Sequence, residues 1–363
     1  MAVTTLVAHQ FRCFDQAVLE LDPAGLTVLR GPNGSGKSSL LEAVAWTATM
    51  RSFRNASRET MVRIGEEQAV LRAEIDVGGR RMVVEGVLPV AGPVRAQLNR
   101  QTVRRRSQLA DALRVTVFSP DDLQLVQGSP ATRREYLDEI LVAHGRREEA
   151  ALSDVDRALR QRTALLRQCG GRLTPEVTAT LDVWDSRLAV AGERVAVARR
   201  SLVARLQPEV AKAYEQLAGS QDPLSVGYRQ SWEGSLMDAL ARSRNDDLRR
   251  QTTGVGPHRD DVDLTIGGRP ARSHASQGEQ RSLALALRLA SHALASMTPG
   301  ERPTLLLDDV FSELDATRSA ALLELLPPGQ VVLSTAGDTP PAVSPSQVVS
   351  VDGGRLSLVS DAR

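Results

Sequence analysis

At 363 residues the chain can bury a substantial core and exceeds what one simple core fills, so one large or two coupled domains are expected. Hydrophobic content of 42% with 25% charged residues is ordinary for a soluble globular protein. No apolar run reaches membrane-spanning length, and the opening MAVTTLVAHQFRCF lacks the regions of a secretion signal, which argues against a membrane partner and for a cytoplasmic location. The net charge of +1 excludes a globally positive field, so a polyanionic partner must be held by local arginine clusters. Cys13 and Cys169 form no metal-ligand pattern and are too few for a disulfide scaffold; both are expected to be incidental free thiols.

In chain order, the first third reads as strands. TTLVAH, AVLELD and LTVLRG are short apolar or alternating segments separated by FRCFDQ and the turn-like DPAG. AVLRAEIDV and RRMVVEGVL flank Gly78 and Gly79, a two-residue hairpin signal, and RVTVF reads as one more buried strand. A helical insert is expected from about Ala131 to Gly219. Within it Leu181, Trp184, Leu188, Ala191, Val195, Ala198 and Leu202 alternate steps of three and four, a coiled-coil-like seam that reads as core packing more readily than as partner docking. Leu152, Val155 and Leu159 begin a weaker stripe, and RQCGGRLTPE between the two offers a turn. At about 1.5 Å per residue the seam implies an arm of only ~30 Å.

The stretch LRGPNGSGKSSLLEAV holds one of only two lysines, Lys37 and Lys212, among 45 Lys plus Arg. Gly31, Gly36, Lys37 and Ser38 complete G-x-x-x-x-G-K-S directly after the strand LTVL and before a helix-compatible run, the context that a phosphate-binding loop requires. Glycines let backbone N–H groups wrap a phosphate, and the helix start adds positive dipole. A compact ammonium fits between phosphates where a planar guanidinium does not, which accounts for a lysine in so arginine-biased a chain. Gly34 and Ser39 belong to the same candidate cradle; Asn33 either reaches phosphate or shapes the loop.

The Ser38 hydroxyl is expected to meet Mg²⁺, and a second motif should supply an acid to the same ion. RPTLLLDDVFSELD provides it: Thr304 to Leu307 read as a buried strand that delivers Asp308 and Asp309 at its carboxyl end, where open α/β sheets bind ligands. Asp308 is the candidate metal ligand, and Asp309 the candidate group that orients the attacking water. Farther back, Ser276 and Gly278 open a helix pattern carrying Leu283, Leu287, Ala290 and Leu294, a second candidate anion site. SHASQGEQ resembles the signature of the ABC ATPase superfamily, which caps the nucleotide held by a partner subunit, and FSELD resembles its D-loop.

Loop and signature lie 239 residues apart, between the spacing of transporter ATPases and that of SMC proteins. The stretches FRCF, GPNGSGKSSLLEA, RSFR, VFSPDDLQLVQGSPATRREYLDEIL, TGVGPHRDDVDL, SQGEQRSLALALRLA and LLLDDVFSELD resemble the RecF family of bacterial recombination mediators over essentially the full length. The resemblance implies an α/β fold: an ABC-type ATPase head with mixed β-sheets, residues 1–128 with 255–363, and an inserted helical lobe with a short antiparallel arm, residues 129–254. It further implies ATP and Mg²⁺ as cofactors, an ATP-dependent homodimer and slow, DNA-stimulated hydrolysis. Binding to duplex, gapped or junction DNA follows too, as do RecR and RecO-like partners that help load recombinase. Carried onto this chain, Lys37, Ser38, Asp308 and Asp309 keep the roles above, Ser276 and Gly278 face the partner's γ-phosphate, and Asp315 matches the D-loop aspartate. Arg12 sits where related heads place an arginine near the nucleotide, the alternative being a surface arginine. The superfamily's switch histidine is absent after QVVLST, leaving Ser334 or Thr335. An SMC-like paralogue of another DNA-associated system, such as phage defence, is the alternative reading.

Three further points stay as expectations. His258, Arg259, Asp260 and Asp261 offer possible metal ligands, but without a second cluster a structural role is preferred. Candidate DNA contacts are Arg100, Arg104, Arg105 and Arg106, and Arg194, Arg199, Arg200 and Arg205. With three Trp, three Tyr and five Phe, a stacking platform for single strands is not expected, and duplex backbone binding fits better.

Overall fold

The computed structural model describes residues 1–170, 172–297, 302–326, 328–337 and 344–359, and leaves aside the side chains of His144 and Glu313. The expected turn RQCGGRLTPE thus lies partly outside the described residues, at Gly171. The chain forms two compact units, Met1–Leu123 with Lys212–Ser220 and Arg281–Arg363, and Gln124–Ala211 with Gln221–Gln280.

The first unit begins with β1 (Ala2–Phe11), β2 (Phe14–Glu20), β3 (Leu26–Arg30), α1 (Lys37–Thr49), α2 (Arg58–Met61), β4 (Gln68–Val77), β5 (Arg80–Pro89), β6 (Arg95–Leu98), β7 (Gln101–Thr102), α3 (Ser107–Ala110) and β8 (Val115–Phe118). Then come α4 (Leu123–Gln127), α5 (Pro130–His144), α6 (Arg146–Gln168), α7 (Pro175–Ala218), β9 (Leu224–Arg229), α8 (Leu236–Arg250), β10 (Asp261–Ile266), β11 (Arg269–Pro270) and α9 (Ala271–His274). The chain closes with α10 (Gln277–Ser296), β12 (Thr304–Asp308), α11 (Ala316–Leu325), β13 (Val331–Thr335), β14 (Gln347–Asp352) and β15 (Arg355–Val359).

Two six-stranded sheets build the first unit. One is antiparallel, in the order β2-β1-β4-β5-β6-β7; the other runs β15-β14-β3-β13-β12-β8 and is parallel except for β14 with β15. The Gly78–Gly79 pair makes the expected hairpin between β4 and β5, both residues at positive φ, as a turn that matches strand twist requires. Helix α1 packs on β1, β4 and β5 of one sheet and on β8, β12 and β13 of the other, and Leu40, Leu41, Val44 and Trp46 are fully buried. Its apolar residues leave no broad polar face, so the helix is enclosed between the sheets, with Glu42 and Thr47 buried as well. Gly86 of β5 is glycine because a Cβ there would collide with the Trp46 ring. Every residue of β12 and β13 is buried, as uninterrupted apolar runs in a parallel sheet should be.

In the second unit α6 and α7 run antiparallel: Leu166 clusters with Leu181, and Val155 with Leu188, in cores that α8 completes. The seam is therefore interior packing, as expected. The paired length is close to the ~30 Å expected, since α6 spans 23 residues, about 35 Å; α7 itself spans 44 residues and continues past the seam through Pro208. The unit also holds a three-stranded sheet, β11-β10-β9. Strand β10 pairs with β9 over its whole length, which places 255–280 in this unit although the sequence reading assigned that segment to the ATPase head. Buried ion pairs tie the helices together: Arg162, fully buried, donates to Asp185 at 2.6 Å and Asp247 at 2.7 Å.

The same chemistry explains why two family stretches belong together. Arg133 of GSPATRREYLDE grips Asp261 of GPHRDD with Nε and NH2 at 2.8 and 3.1 Å, and Arg134 donates to the Asp260 carbonyl at 2.6 Å. Asp260 also accepts from Tyr228 Oη and from the Ser231 N–H, and His258 Nε2 lies 3.0 Å from the Thr253 carbonyl. These bonds are a structural use of the cluster. One DNA candidate needs correction: Arg199 is 4% exposed, forks onto Asp138 at 2.8 Å through Nε and NH2, and donates to the Pro257 carbonyl.

Candidate nucleotide-binding site

Strands β3, β13 and β12 lie side by side and parallel, with Arg30 opposite Thr335 and Asp308 opposite Ser334. Their carboxyl ends therefore share one edge, and the glycine loop, the paired aspartates and Ser334 emerge there together. Gly31 must be glycine because a Cβ would run into the Val351 carbonyl of β14. Gly36 has φ of +108°, and a Cβ on it would lie 2.6 Å from the Phe14 ring and 2.7 Å from Cys13 Sγ. Lys37 opens α1 and is nearly buried; its Nζ donates to the Gly31 and Pro32 carbonyls at 2.7 and 2.9 Å. Burial pulls its pKa down, while the Asp309 and Asp308 charges push it up, with a net lowering.

Asp308 ends β12 and is 5% exposed. Ser334 Oγ donates to Asp308 Oδ1 at 2.7 Å and accepts from the Asp309 N–H at 3.0 Å. One hydroxyl thus engages the Asp308 carboxylate and the Asp309 backbone together. Asp309 has φ of +49°, a left-handed turn that costs a non-glycine residue about 1 kcal/mol and carries its side chain off the strand line. It lines the cavity.

That cavity, about 670 Å³, is lined by Asn33, Gly34, Gly36, Lys37, Ser38, Ser39, Asp309 and Ser334, with Arg12 and Cys13 from the β1–β2 turn and Arg54, Glu59, Thr60, Val62 and Ile64 from the chain after α1. The volume suits a nucleotide. Arg12 stands in the wall of this cavity. Its Nε and NH2 donate to the fully buried Glu42 of α1 at 2.7 and 2.8 Å, and its NH1 donates to the Thr60 carbonyl at 3.0 Å. Ser52 also donates to Glu42, so one carboxylate anchors both walls.

Cys13 is a free thiol, as expected, but it also lines this cavity; its place beside Arg12 in FRCF was the available signal. Burial raises its thiol pKa, against lowering by its own backbone N–H and the Arg12 and Arg63 charges. Segment 54–64 had no chemical signature beyond RSFR. It reaches the cavity because Arg12 N–H donates to the Met61 carbonyl and Arg63 N–H to the Gln10 carbonyl, each at 2.8 Å.

The remaining expected residues stand elsewhere. Ser276 caps α10 in the second unit through a reciprocal box, its N–H donating to Glu279 Oε2 at 2.7 Å and its Oγ accepting from the Glu279 N–H at 3.3 Å. Gly278 lies in the first turn of that helix. Asp315 caps α11, accepting from the Arg318 N–H at 2.9 Å, a bond that with the Arg318 charge holds its pKa low. Neither Asp308 nor Asp315 is among the cavity-lining residues; Asp308 is joined to the lining residue Ser334 by a hydrogen bond. In VFSPDDL, Ser119 and Asp122 form a second capping box, and Arg288 of α10 donates to Asp122 at 2.9 Å.

Residues 2–332 match the family described as the RecF/RecN/SMC N-terminal domain. A protein of Streptomyces avermitilis named DNA replication and repair protein RecF is 41% identical, over 99% of this chain and all of that one. One of the same name from Frankia alni is 42% identical over 97% and 98% of the two chains. Among solved structures, that of the recombination mediator protein RecF-ATP in the RecFOR pathway superposes with a TM-score of 0.91 at 26% identity, covering 99% of this chain and 98% of that one. An Smc head bound to the C-terminal winged-helix domain of ScpA, at 15% identity and a TM-score of 0.58, shares the fold. Match and geometry agree: this chain belongs to the RecF family within the RecF/RecN/SMC ATPase fold.

Proposed function

We propose that the protein is a weak, DNA-stimulated ATPase of DNA repair and replication that acts in a RecFOR-type pathway as an ATP-dependent clamp. In this reading two copies close on two ATP, bind gapped or junction duplex DNA, help RecR and RecO-like mediators load recombinase, and release on slow hydrolysis. The observation that carries it is the convergence of Lys37, Ser38, Asp309 and Ser334 on one nucleotide-sized cavity. The full-length likeness to proteins named for DNA replication and repair, and to a RecF-ATP structure, supports it.

The parts divide as follows. The loop from Gly31 to Ser39 holds the β- and γ-phosphates, with Lys37 as their point charge. The donor set at the loop edge suits Mg²⁺: the Ser38 hydroxyl and the Asp308 carboxylate are hard oxygens, and Ser334 engages only Oδ1 of Asp308. Bound there, the ion would neutralise charge on the transferred phosphoryl group. Asp309 holds the attacking water, and Ser334 holds Asp309. Ser276 and Gly278 offer a helix start to the γ-phosphate of the partner copy, and the Asp315 cap shapes the loop beside it.

Sedimentation with and without ATP and gapped duplex tests the reading, alongside Lys37→Ala and Ser276→Arg. Wild type should dimerise with ATP and bind DNA more tightly as it does so. Both variants should stay monomeric, one for want of nucleotide and the other for a blocked partner site. A wild type that stays monomeric under ATP, or a Ser276→Arg chain that dimerises normally, overturns the clamp.

A further inference from the structure

The two arginine groups singled out as candidate DNA contacts differ in the folded chain. On α7, Arg199 is buried against Asp138 and Arg200 donates to Gln230 Oε1 at 2.5 Å, so Arg194 and Arg205 alone remain of that group. On the β6–β7 hairpin, at the open edge of the antiparallel sheet, Arg95, Arg100, Arg104 and Arg105 are all exposed. None of their guanidinium groups has a partner among the described residues. Several other arginines of the first unit are matched with carboxylates, as Arg12 with Glu42 and Arg288 with Asp122.

Sequence and register sharpen the contrast. Between Glu85 and Asp111 the chain has no acidic residue and no aromatic one. Asn99 and Arg100 form the hairpin turn at φ of +50° and +67°, so an arginine holds the strained tip where a smaller residue is usual. Gln97 pairs with Thr102, and the Val103 N–H donates to the Ala96 carbonyl at 2.9 Å. The Arg104 and Arg105 N–H groups then turn to Gln108 Oε1, at 2.8 and 2.9 Å, and both side chains stay exposed. Beneath them Val94 and Val103 pack into the main core, and Arg106 Nε donates to the Thr49 carbonyl at 2.7 Å. The hairpin is thus a firmly seated mount for four unneutralised guanidinium groups.

We infer that this hairpin contacts the phosphate backbone of duplex DNA through Arg95, Arg100, Arg104 and Arg105. The inference rests on the DNA-binding reading above and assigns the residues that do it. Planar guanidinium forks match phosphate oxygens. The absence of any aromatic from the segment leaves no platform for an unpaired base, which selects duplex over single strand. No large apolar side chain is exposed on the hairpin to anchor a protein partner.

The test is the salt dependence of binding, with ATP and Mg²⁺, to a blunt duplex and to a single strand of the same length. Each neutralised phosphate contributes about 0.9 to the slope of log K against log salt, so the fourfold variant Arg95→Gln, Arg100→Gln, Arg104→Gln, Arg105→Gln should lose about 3 to 4 from the duplex slope. ATP binding should stay at the wild-type level, which shows the unit folded, and an Arg194→Gln, Arg205→Gln control should keep its slope. A fourfold variant that keeps the duplex slope, or a change confined to the single strand, overturns the inference while leaving the DNA-binding reading standing. A wild type that binds no duplex at all overturns both.

Discussion

Arg12 and Glu42 are joined by two parallel hydrogen bonds, Nε to Oε2 at 2.7 Å and NH2 to Oε1 at 2.8 Å, across the wall of the nucleotide cavity. Glu42 is fully buried on α1, and its other partner is Ser52, so this carboxylate holds the β1–β2 turn and the chain after α1 in one geometry. Glu42→Ala leaves a mostly buried guanidinium unmatched, a change that costs about 3–5 kcal/mol. The expected result is a lowered midpoint in thermal melts. Glu42→Gln, which keeps one acceptor, should fall between, with ATP affinity in titrations following the same order.

Ser334 orients Asp308 and Asp309 at once, so its hydroxyl should matter for turnover more than for binding. Ser334→Ala removes two hydrogen bonds, each with a net worth of about 1 kcal/mol, and hydrolysis should slow by roughly tenfold or more. Asp309→Asn should nearly abolish hydrolysis while ATP still binds. Steady-state phosphate release beside equilibrium nucleotide binding separates the two effects. A Ser334→Ala enzyme with wild-type turnover would show that the Asp308–Ser334–Asp309 arrangement is not used.

Arg162 in the helical unit is surrounded by Asp185, Asp247 and Thr253. Arg162→Leu leaves the buried Asp247 carboxylate without a cation, while Asp185 keeps Arg244 at 2.6 Å, and should destabilise by about 3–5 kcal/mol. Adding Asp247→Asn in the same chain should recover part of that loss. Urea unfolding of the two variants measures the difference, and equal destabilisation in both would mean that packing rather than charge dominates there.

His292 of α10 is buried with Nδ1 3.0 Å from Thr116 Oγ1, and burial lowers its pKa from 6.5 to about 4. The unfolded chain then binds more protons than the folded one between those values. The stabilising contribution is therefore fully present above pH 6.5 and is lost as the pH falls towards 4, reaching about 3 kcal/mol. Melting temperatures at pH 7.5 and pH 5 should differ more for wild type than for His292→Asn, whose amide does not titrate.

The sequence was most informative where one local rule decides the outcome. Gly31 to Ser38 follow the strand Leu26–Arg30 and open α1 as the spacing required, and β12 delivers Asp308 at its buried end. Strand, loop and helix there are consecutive in the chain, so their order alone predicts their meeting. The helical insert and its seam were equally legible from apolar spacing. The full length of α7 was not, because a seam marks where a helix is packed and α7 continues where its neighbours change.

Tertiary structure decided what depends on partners distant in sequence. The Arg133–Asp261 pair spans 128 positions, and no periodicity announces which arginine of an arginine-rich chain meets which carboxylate. Arg199 and Arg104 looked alike as exposed bases; an aspartate, Asp138, 61 positions away buries the first, while the acid-free edge hairpin leaves the second open. Cys13 and Ile64 acquired a place at the nucleotide cavity only because backbone pairing folds Met61 and Arg63 onto the β1–β2 turn. The sequence by itself determined the glycine loop, the paired aspartates at the strand end and the helix opened by Ser276, since each is a short run whose local structure lies in its own spacing. Only the folded chain settled which charges are neutralised, because charge pairing is a long-range contact and the local chain carries no record of it.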